Sequence, residues 1–235
     1  MDWNVWNPDH IAKGPPHPSE MENGRAIFQD KVTGQWPLCC TNHITATAGM
    51  LKHRIPSFGY VFSEAPKAGK LNSEKLIKFG VPKGPLFGKI KNGEQVTLSD
   101  GRRVNPSDFI GPTQPGRKIA ILQDTCDSWS MQDACYRCDI LIHEATNENS
   151  HEEKCVANGH STPRMAAEFA SAVQAQMLIQ SHCSQRYKDP KQHAVSEGDA
   201  TVETLTQEAQ LKYDGPVVTA YDGLVMNVKR KIVDT

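Results

Sequence analysis

Three short apolar runs between residues 119 and 182, each ending in a group that can hold a metal or move a proton, constrain the fold of this chain most tightly. Ile119-Ala120-Ile121-Leu122 leads into Gln123-Asp124-Thr125, Ile140-Leu141-Ile142 into His143-Glu144-Ala145-Thr146, and Met177-Leu178-Ile179 into Gln180-Ser181-His182. Short β-branched and leucine-rich runs read as strands buried on both faces. Between the second and third, Ser161 and Thr162 suit a helix cap, Pro163 suits the first turn, and apolar residues recur at Met165, Phe169, Val173 and Met177. Strand, helix, strand predicts a parallel pair, and ligands of such sheets gather outside the carboxyl ends of the strands. Asp124, His143 or Glu144, and His182 all fall there, so together they make a candidate site.

A chain of 235 residues suffices for one large domain, or a domain with an arm. Its hydrophobic content of 38% is low for a tightly packed α/β domain, so part of it is expected to stay exposed. No run approaches the roughly 18 apolar residues of a membrane span. The start is neither a charged-then-apolar signal peptide nor Arg- and Ser-rich, which predicts an intracellular protein, cytoplasmic or nuclear. Seven cysteines without framework spacing fit a reduced compartment. Cys135 and Cys138 form an isolated C-x-x-C, expected to be thiols packed near a buried strand.

In chain order, residues 1–23 hold Trp3, Trp6, His10 and His17 with no periodicity, and read as an unassigned, irregular segment. Strands are predicted at Ala26–Phe28 and Ile44–Leu51 with a turn over Gly34–Pro37, and another strand follows His53. From Pro66 to Lys91 seven lysines face one acid, Glu74, a local charge of +6 in a chain of net charge −1. Asn72 or Ser73 caps a short helix there, which Gly80 ends, and Gly80–Gly88 reads as stiff, turn-rich and basic. A hairpin is predicted with its turn at Asp100-Gly101. Such an excursion, over about residues 66–105, is either a solvated loop or an arm gripping a nucleic-acid backbone through lysines. A helix is predicted over Glu203–Lys212, and a hairpin of Val217–Tyr221 with Leu224–Val228 around Asp222-Gly223.

Asp124, His53 and His182 are the ligand types that suit zinc. His160, in Gly159-His160-Ser161-Thr162-Pro163, opens a helix near the same sheet edge, and a carboxylate such as Glu144 would orient its ring and keep it protonated as a general acid. The competing reading is that histidines at strand ends merely satisfy backbone groups.

Five segments occur in order: His53-Arg54-Ile55-Pro56-Ser57-Phe58-Gly59-Tyr60, Gly80-Val81-Pro82-Lys83-Gly84-Pro85, His143-Glu144-Ala145-Thr146, Gly159-His160-Ser161-Thr162 and Ser181-His182-Cys183-Ser184-Gln185-Arg186-Tyr187. His53, Asp124, His160 and His182 are separated by 71, 36 and 22 residues. Together these features resemble the C-terminal two-thirds of ribonuclease Z in its short form. The resemblance implies an α/β fold: part of a metallo-β-lactamase αββα sandwich over residues 24–235, lacking its N-terminal strands and carrying a protruding basic arm. It implies a zinc-dependent endoribonuclease that removes the 3′ trailer of precursor tRNA and leaves a 3′-hydroxyl. In that reading Asp124 bridges two zinc ions, His53 and His182 complete their spheres, and a metal-activated water attacks the phosphorus. His160, supported by Glu144, protonates the leaving oxygen. Lys75, Lys78, Lys83, Gly84 and Pro85 belong to the arm that grips tRNA, commonly across a homodimer; neither membrane nor DNA is an expected partner.

This sequence has no His-x-His-x-Asp-His loop, which supplies most of the family's metal ligands, and Gln123 stands where the family has glycine. The expectation is therefore at most one zinc, held weakly, no cleavage of precursor tRNA by this chain alone, and an apolar sheet face in need of a partner. The alternative is a non-catalytic tRNA-binding or dimerising remnant. A small-molecule hydrolase of the same fold would not need the basic arm.

Overall fold

The computed structural model describes residues 27–41, 43–231 and 233. The segment expected to be irregular, residues 1–23 with His10 and His17, lies outside them, as does Ala26. In chain order the elements are β1 (Trp36–Cys40), β2 (Ile44–Leu51), β3 (Ser57–Glu64), α1 (Ser73–Lys78), α2 (Pro85–Lys91), β4 (Val96–Thr97) and β5 (Arg103–Val104). There follow β6 (Lys118–Leu122), α3 (Gln132–Cys135), β7 (Ile140–Glu144), α4 (Glu152–Ala157), α5 (Pro163–Ala172), β8 (Leu178–Ser181), α6 (Val202–Gln210) and β9 (Val217–Thr219). They fall into two compact units.

The larger unit, which runs up to Ser63 and resumes over Lys118–Met226, holds a sheet of seven strands in the order β1-β2-β3-β6-β7-β8-β9. β6, β7, β8 and β9 are parallel, while β3 runs antiparallel to β6 and β1 to β2. The sequence-predicted strand–helix–strand is β7–α5–β8. Its register sets Leu122 beside His143 and Glu144 beside Ser181, so three strands end together at one sheet edge. α5 starts where expected, with Thr162 at its cap position and Pro163 in its first turn. Its buried face is mostly alanine (Ala166, Ala167, Ala170) around Phe169, and small side chains let a helix approach a sheet closely. This face joins Leu122, Leu141 and Leu178 in one core, where burial of Phe169 alone contributes roughly 1.5–3 kcal/mol. Cys135 and Cys138 pack into the same core, and burial pushes the Cys135 thiol up to about 12.

On the opposite sheet face Tyr60 and Phe62, paired with Ile121 and Ile119, remain about two-fifths exposed, at 39% and 40%. The apolar face expected from the sequence is therefore present.

Three expectations are corrected. Ile27 and Phe28 lie in no strand. The first turn comes earlier than Gly34–Pro37: the Asp30 carboxylate accepts from Val32 N and Thr33 N at 2.8 and 2.9 Å, and Gly34 takes φ +67°. Trp36 and Pro37 are thereby released into edge strand β1, where proline is tolerated. β9 pairs parallel with β8, and residues 224–228 form no strand, so Asp222-Gly223 makes a turn without a hairpin.

The smaller unit comprises Glu64–Arg117 with the described residues of 227–235. Asn72 Oδ1 accepts from Lys75 N at 2.9 Å to cap α1, and Gly80, at φ +95°, follows its end. The Gly80–Gly88 stretch is less of a loop than its composition suggests. Gly84 takes φ +144°, a conformation only glycine tolerates, and hands Pro85 to the first turn of α2. Leu76, Val81, Ile90, Val104 and Phe109 bury themselves together, giving this basic stretch a core of its own. The expected hairpin is present as β4–β5. Among the described residues no helix is long and apolar enough to cross a membrane.

Candidate active site

Asp124 lies two residues beyond β6, Glu144 ends β7, and His182 directly follows β8. His160 reaches the same place from the turn before α5. One ligand atom each of Asp124, Glu144, His160 and His182 lies within 4.8 Å of the others.

Glu144 is fully buried and its carboxylate is saturated. Oε1 accepts from Thr125 N at 2.5 Å and from His160 Nδ1 at 3.0 Å. Oε2 accepts from Thr146 Oγ1 at 2.6 Å and from Ser161 N at 3.0 Å. A carboxylate offers roughly four lone-pair sites, so none is left for a metal. Glu144 orients its neighbours instead: it holds His160 with the proton on Nδ1 and leaves the other ring nitrogen of His160 to act.

The same logic fixes His182. The single hydroxyl proton of Thr146 goes to Glu144, so Thr146 Oγ1 accepts from His182 Nδ1, 3.1 Å away. His182 Nε2 lies 3.4 Å from Asp124 Oδ1, so a protonated ring pairs with the carboxylate and a neutral ring leaves both atoms free to ligate a cation. Two ligands of one tetrahedral zinc, each at about 2.0–2.1 Å, stand roughly 3.3 Å apart, so the pair suits a metal. His182 is held in the left-handed region at φ +55°, a strained conformation for a side chain other than glycine.

His53 stands apart from this cluster, its ring 5.0 Å from that of His160, which in turn stacks on His182 at 5.2 Å. Its Nε2 is buried without a partner among the described residues, the kind of atom a ligand would satisfy. Ile55 N approaches Nδ1 at 3.4 Å, too long a contact to set the tautomer. Gly159, at φ +84°, makes room for His53: a Cβ there would stand 2.7 Å from His53 Cδ2 and 3.1 Å from Arg54 N.

His143, the alternative to Glu144, is structural. Its Nδ1 donates to Glu144 O at 2.7 Å, its Nε2 accepts from Ser128 Oγ at 3.0 Å, and burial holds its pKa below the ordinary value. Cys183, beside His182, is no thiolate, because burial pushes it up to about 11.

No family model matches the chain. It is 40% identical over 220 residues to "Zinc phosphodiesterase ELAC protein 1" of Bos taurus, covering 92% of this chain and 60% of that protein. It is 38% identical to "Ribonuclease Z" of Brevibacillus brevis, over 87% of this chain and 62% of the relative. The chain is homologous to ribonuclease Z. It spans about 60% of the length of these curated relatives. The crystal structure of human tRNase Z, short form, superposes with a TM-score of 0.51 and 24% identity, over 88% of this chain and 51% of the human one. The described sheet and helices are thus part of a metallo-β-lactamase fold, as the resemblance implied.

In this ribonuclease Z homologue the lysines of the basic stretch are not equivalent. Lys75 is engaged, donating from Nζ to Asp108 O at 2.8 Å and lying 5.4 Å from the Phe109 ring centroid. Lys78 and Lys83 are exposed, and Gly84 and Pro85 set the start of α2. Sequence reasoning placed Asp124, Glu144, His160 and His182 but assigned nothing to Thr146, Thr125 or Gly159. Thr146 carried a signal in its position two residues after Glu144, where a hydroxyl can reach back to the carboxylate.

Proposed function

We propose that this chain carries part of the site of a zinc-dependent phosphodiesterase that cleaves precursor tRNA at its 3′ end. The observation that carries the reading is the pair Asp124 Oδ1 and His182 Nε2, two ligand atoms 3.4 Å apart, with the His182 ring held by the Glu144–Thr146 relay. Asp124 and His182 would hold one zinc, weakly, and the partnerless His53 nitrogen would serve a second only alongside ligands from outside the described residues. Bound zinc would supply a more acidic water and offset the negative charge that grows on the phosphate.

The chain's own residues do the rest. As the P–O3′ bond breaks and water oxygen bonds to phosphorus, the water gives one proton to solvent, and the tRNA 3′-oxygen takes a proton from His160 and leaves as a 3′-hydroxyl. Glu144, holding the opposite ring nitrogen at 3.0 Å, orients the imidazole so that its other nitrogen can give this proton. Lys78 and Lys83, on a unit that carries its own core, add backbone affinity without sequence preference. The reading extends to a homodimer, tested by sedimentation.

That separate core also favours a second reading, a tRNA-binding protein without catalysis. Gel-shift assays on precursor tRNA and zinc titration of the same chain separate the two. Saturable zinc binding that Asp124→Asn abolishes, together with tRNA binding, supports the partial phosphodiesterase site, and tRNA binding without zinc uptake supports the second reading. Absence of both overturns each, and zinc-dependent cleavage by this chain alone would overturn the expectation that it is inactive by itself. Charge reversal at Lys78 and Lys83 should lower the salt slope of RNA binding by about 2.

A further inference from the structure

The smaller unit contains a groove of about 760 Å³, of whose lining the functional readings above use only Lys75. Its walls are built from the backbone. Lys67 and Gln114 exchange N–H···O bonds of 2.9 Å, and Gly111 N donates to Lys70 O at 2.9 Å. The C-terminal segment forms a further wall. The Gln114 amide donates to Val233 O at 3.2 Å and accepts from Val233 N at 2.9 Å, while Arg117 Nη1 donates to Val228 O at 2.9 Å. Leu71, Ile110 and Pro112 supply apolar surface.

The charge on the groove is lopsided. Lys67 and Lys70 are exposed along it, whereas Asp108 is the one acid lining it among the described residues. Arg230 is the decisive residue. Its Nη2 lies 2.6 Å from Glu64 Oε2, but its Nη1 is buried and meets no acceptor among the described residues. A buried guanidinium N–H without an acceptor is costly, and the planar fork of arginine fits phosphate oxygens.

We propose that this groove binds the phosphate of a nucleotide at Arg230, with Lys70 beside it and the sugar and base against Leu71, Ile110 and Pro112. The volume greatly exceeds that of inorganic phosphate and falls in the range of small-molecule sites, which accounts for the apolar wall. The nucleotide is either free or one unit of an RNA strand. The site is independent of the zinc reading, since no ligand of the larger unit takes part and nothing need be cleaved.

Calorimetric titration of the full 235-residue chain, without added zinc, tests it with AMP, inorganic phosphate, adenosine and a tri-adenylate. AMP is expected to saturate one site, about tenfold or more tighter than phosphate or adenosine. Lys70→Glu, a change at an exposed side chain, and Arg230→Gln should each weaken AMP binding at least about tenfold. Competition by the tri-adenylate assigns the groove to an RNA strand, and failure to compete assigns it to free nucleotides. No saturable AMP binding, phosphate binding as tight as AMP, or unchanged AMP affinity in Lys70→Glu overturns the proposal.

Discussion

Replacing Thr146 with valine keeps the shape of the side chain and deletes one oxygen that makes two bonds. The first is the 2.6 Å bond given to Glu144 Oε2, and the second is the 3.1 Å bond taken from His182 Nδ1. Loss of a hydrogen bond to a charged group lowers stability by about 1.5–3 kcal/mol. Glu144 would retain its other three donors, so the lower end of that range is expected. The second loss frees the His182 ring to choose its tautomer and turn. Removing such a support beneath a metal ligand weakens metal binding by about 10–100-fold, or roughly 1.4–2.7 kcal/mol. Competition of the protein with a chromophoric chelator for zinc, alongside urea midpoints, measures both effects. Thr146→Ser restores the hydroxyl and should restore both. Zinc affinity in Thr146→Val within a factor of about two of the wild type would refute the relay, because the lost support should cost tenfold or more.

Gly159→Ala should destabilise the fold by about 1–2 kcal/mol from the left-handed backbone alone, and should also displace His53, as read by urea denaturation and by the His53 ring resonances. Burial lowers the pKa of His143, so below its ordinary value of 6.5 the unfolded chain takes up a proton that the folded chain refuses. Stability on this account is full above pH 6.5 and falls as the pH drops, by at most about 1.4 kcal/mol per pH unit, and His143→Gln should remove that share of the slope. The Arg117 guanidinium holds Glu64 at about 2 instead of 4.5, so its contribution is present above pH 4.5 and lost as the pH falls towards 2. Protection factors of the Val104 and Ile90 amides, which are corrected for the intrinsic pH dependence of exchange, should fall over that window, and Glu64→Gln should remove that fall.

The parallel centre of the sheet was legible because its strands are buried runs whose length and β-branching leave few alternatives. The carboxyl ends of those strands then located Asp124, Glu144 and His182 without any structural knowledge. The hydrogen bonds that give these residues their roles were not legible. Whether Glu144 is a ligand or a support depends on four donors drawn from Thr125, Thr146, His160 and Ser161, which no spacing rule connects. Helix α2 was hidden for a different reason. Gly84-Pro85 is a turn signal and a helix-start signal alike, and only the burial of Ile90 beside Leu76 decides between them. The final hairpin failed because Asp222-Gly223 does make its turn, but residues 224–228 do not pair with β9, which ends the sheet among the described residues.

The central claim is that Asp124 and His182 share a metal while Glu144 keeps His160 ready to move a proton. Long-range proton–nitrogen NMR of the histidine rings during zinc addition tests it most directly. The account predicts His182 with its proton on Nδ1 before zinc, a saturable shift of its Nε2 on binding that Asp124→Asn greatly weakens, and His160 retaining its Nδ1 proton throughout. A His182 protonated on Nε2 in the metal-free neutral ring, or no saturable change at that nitrogen with zinc, would contradict it.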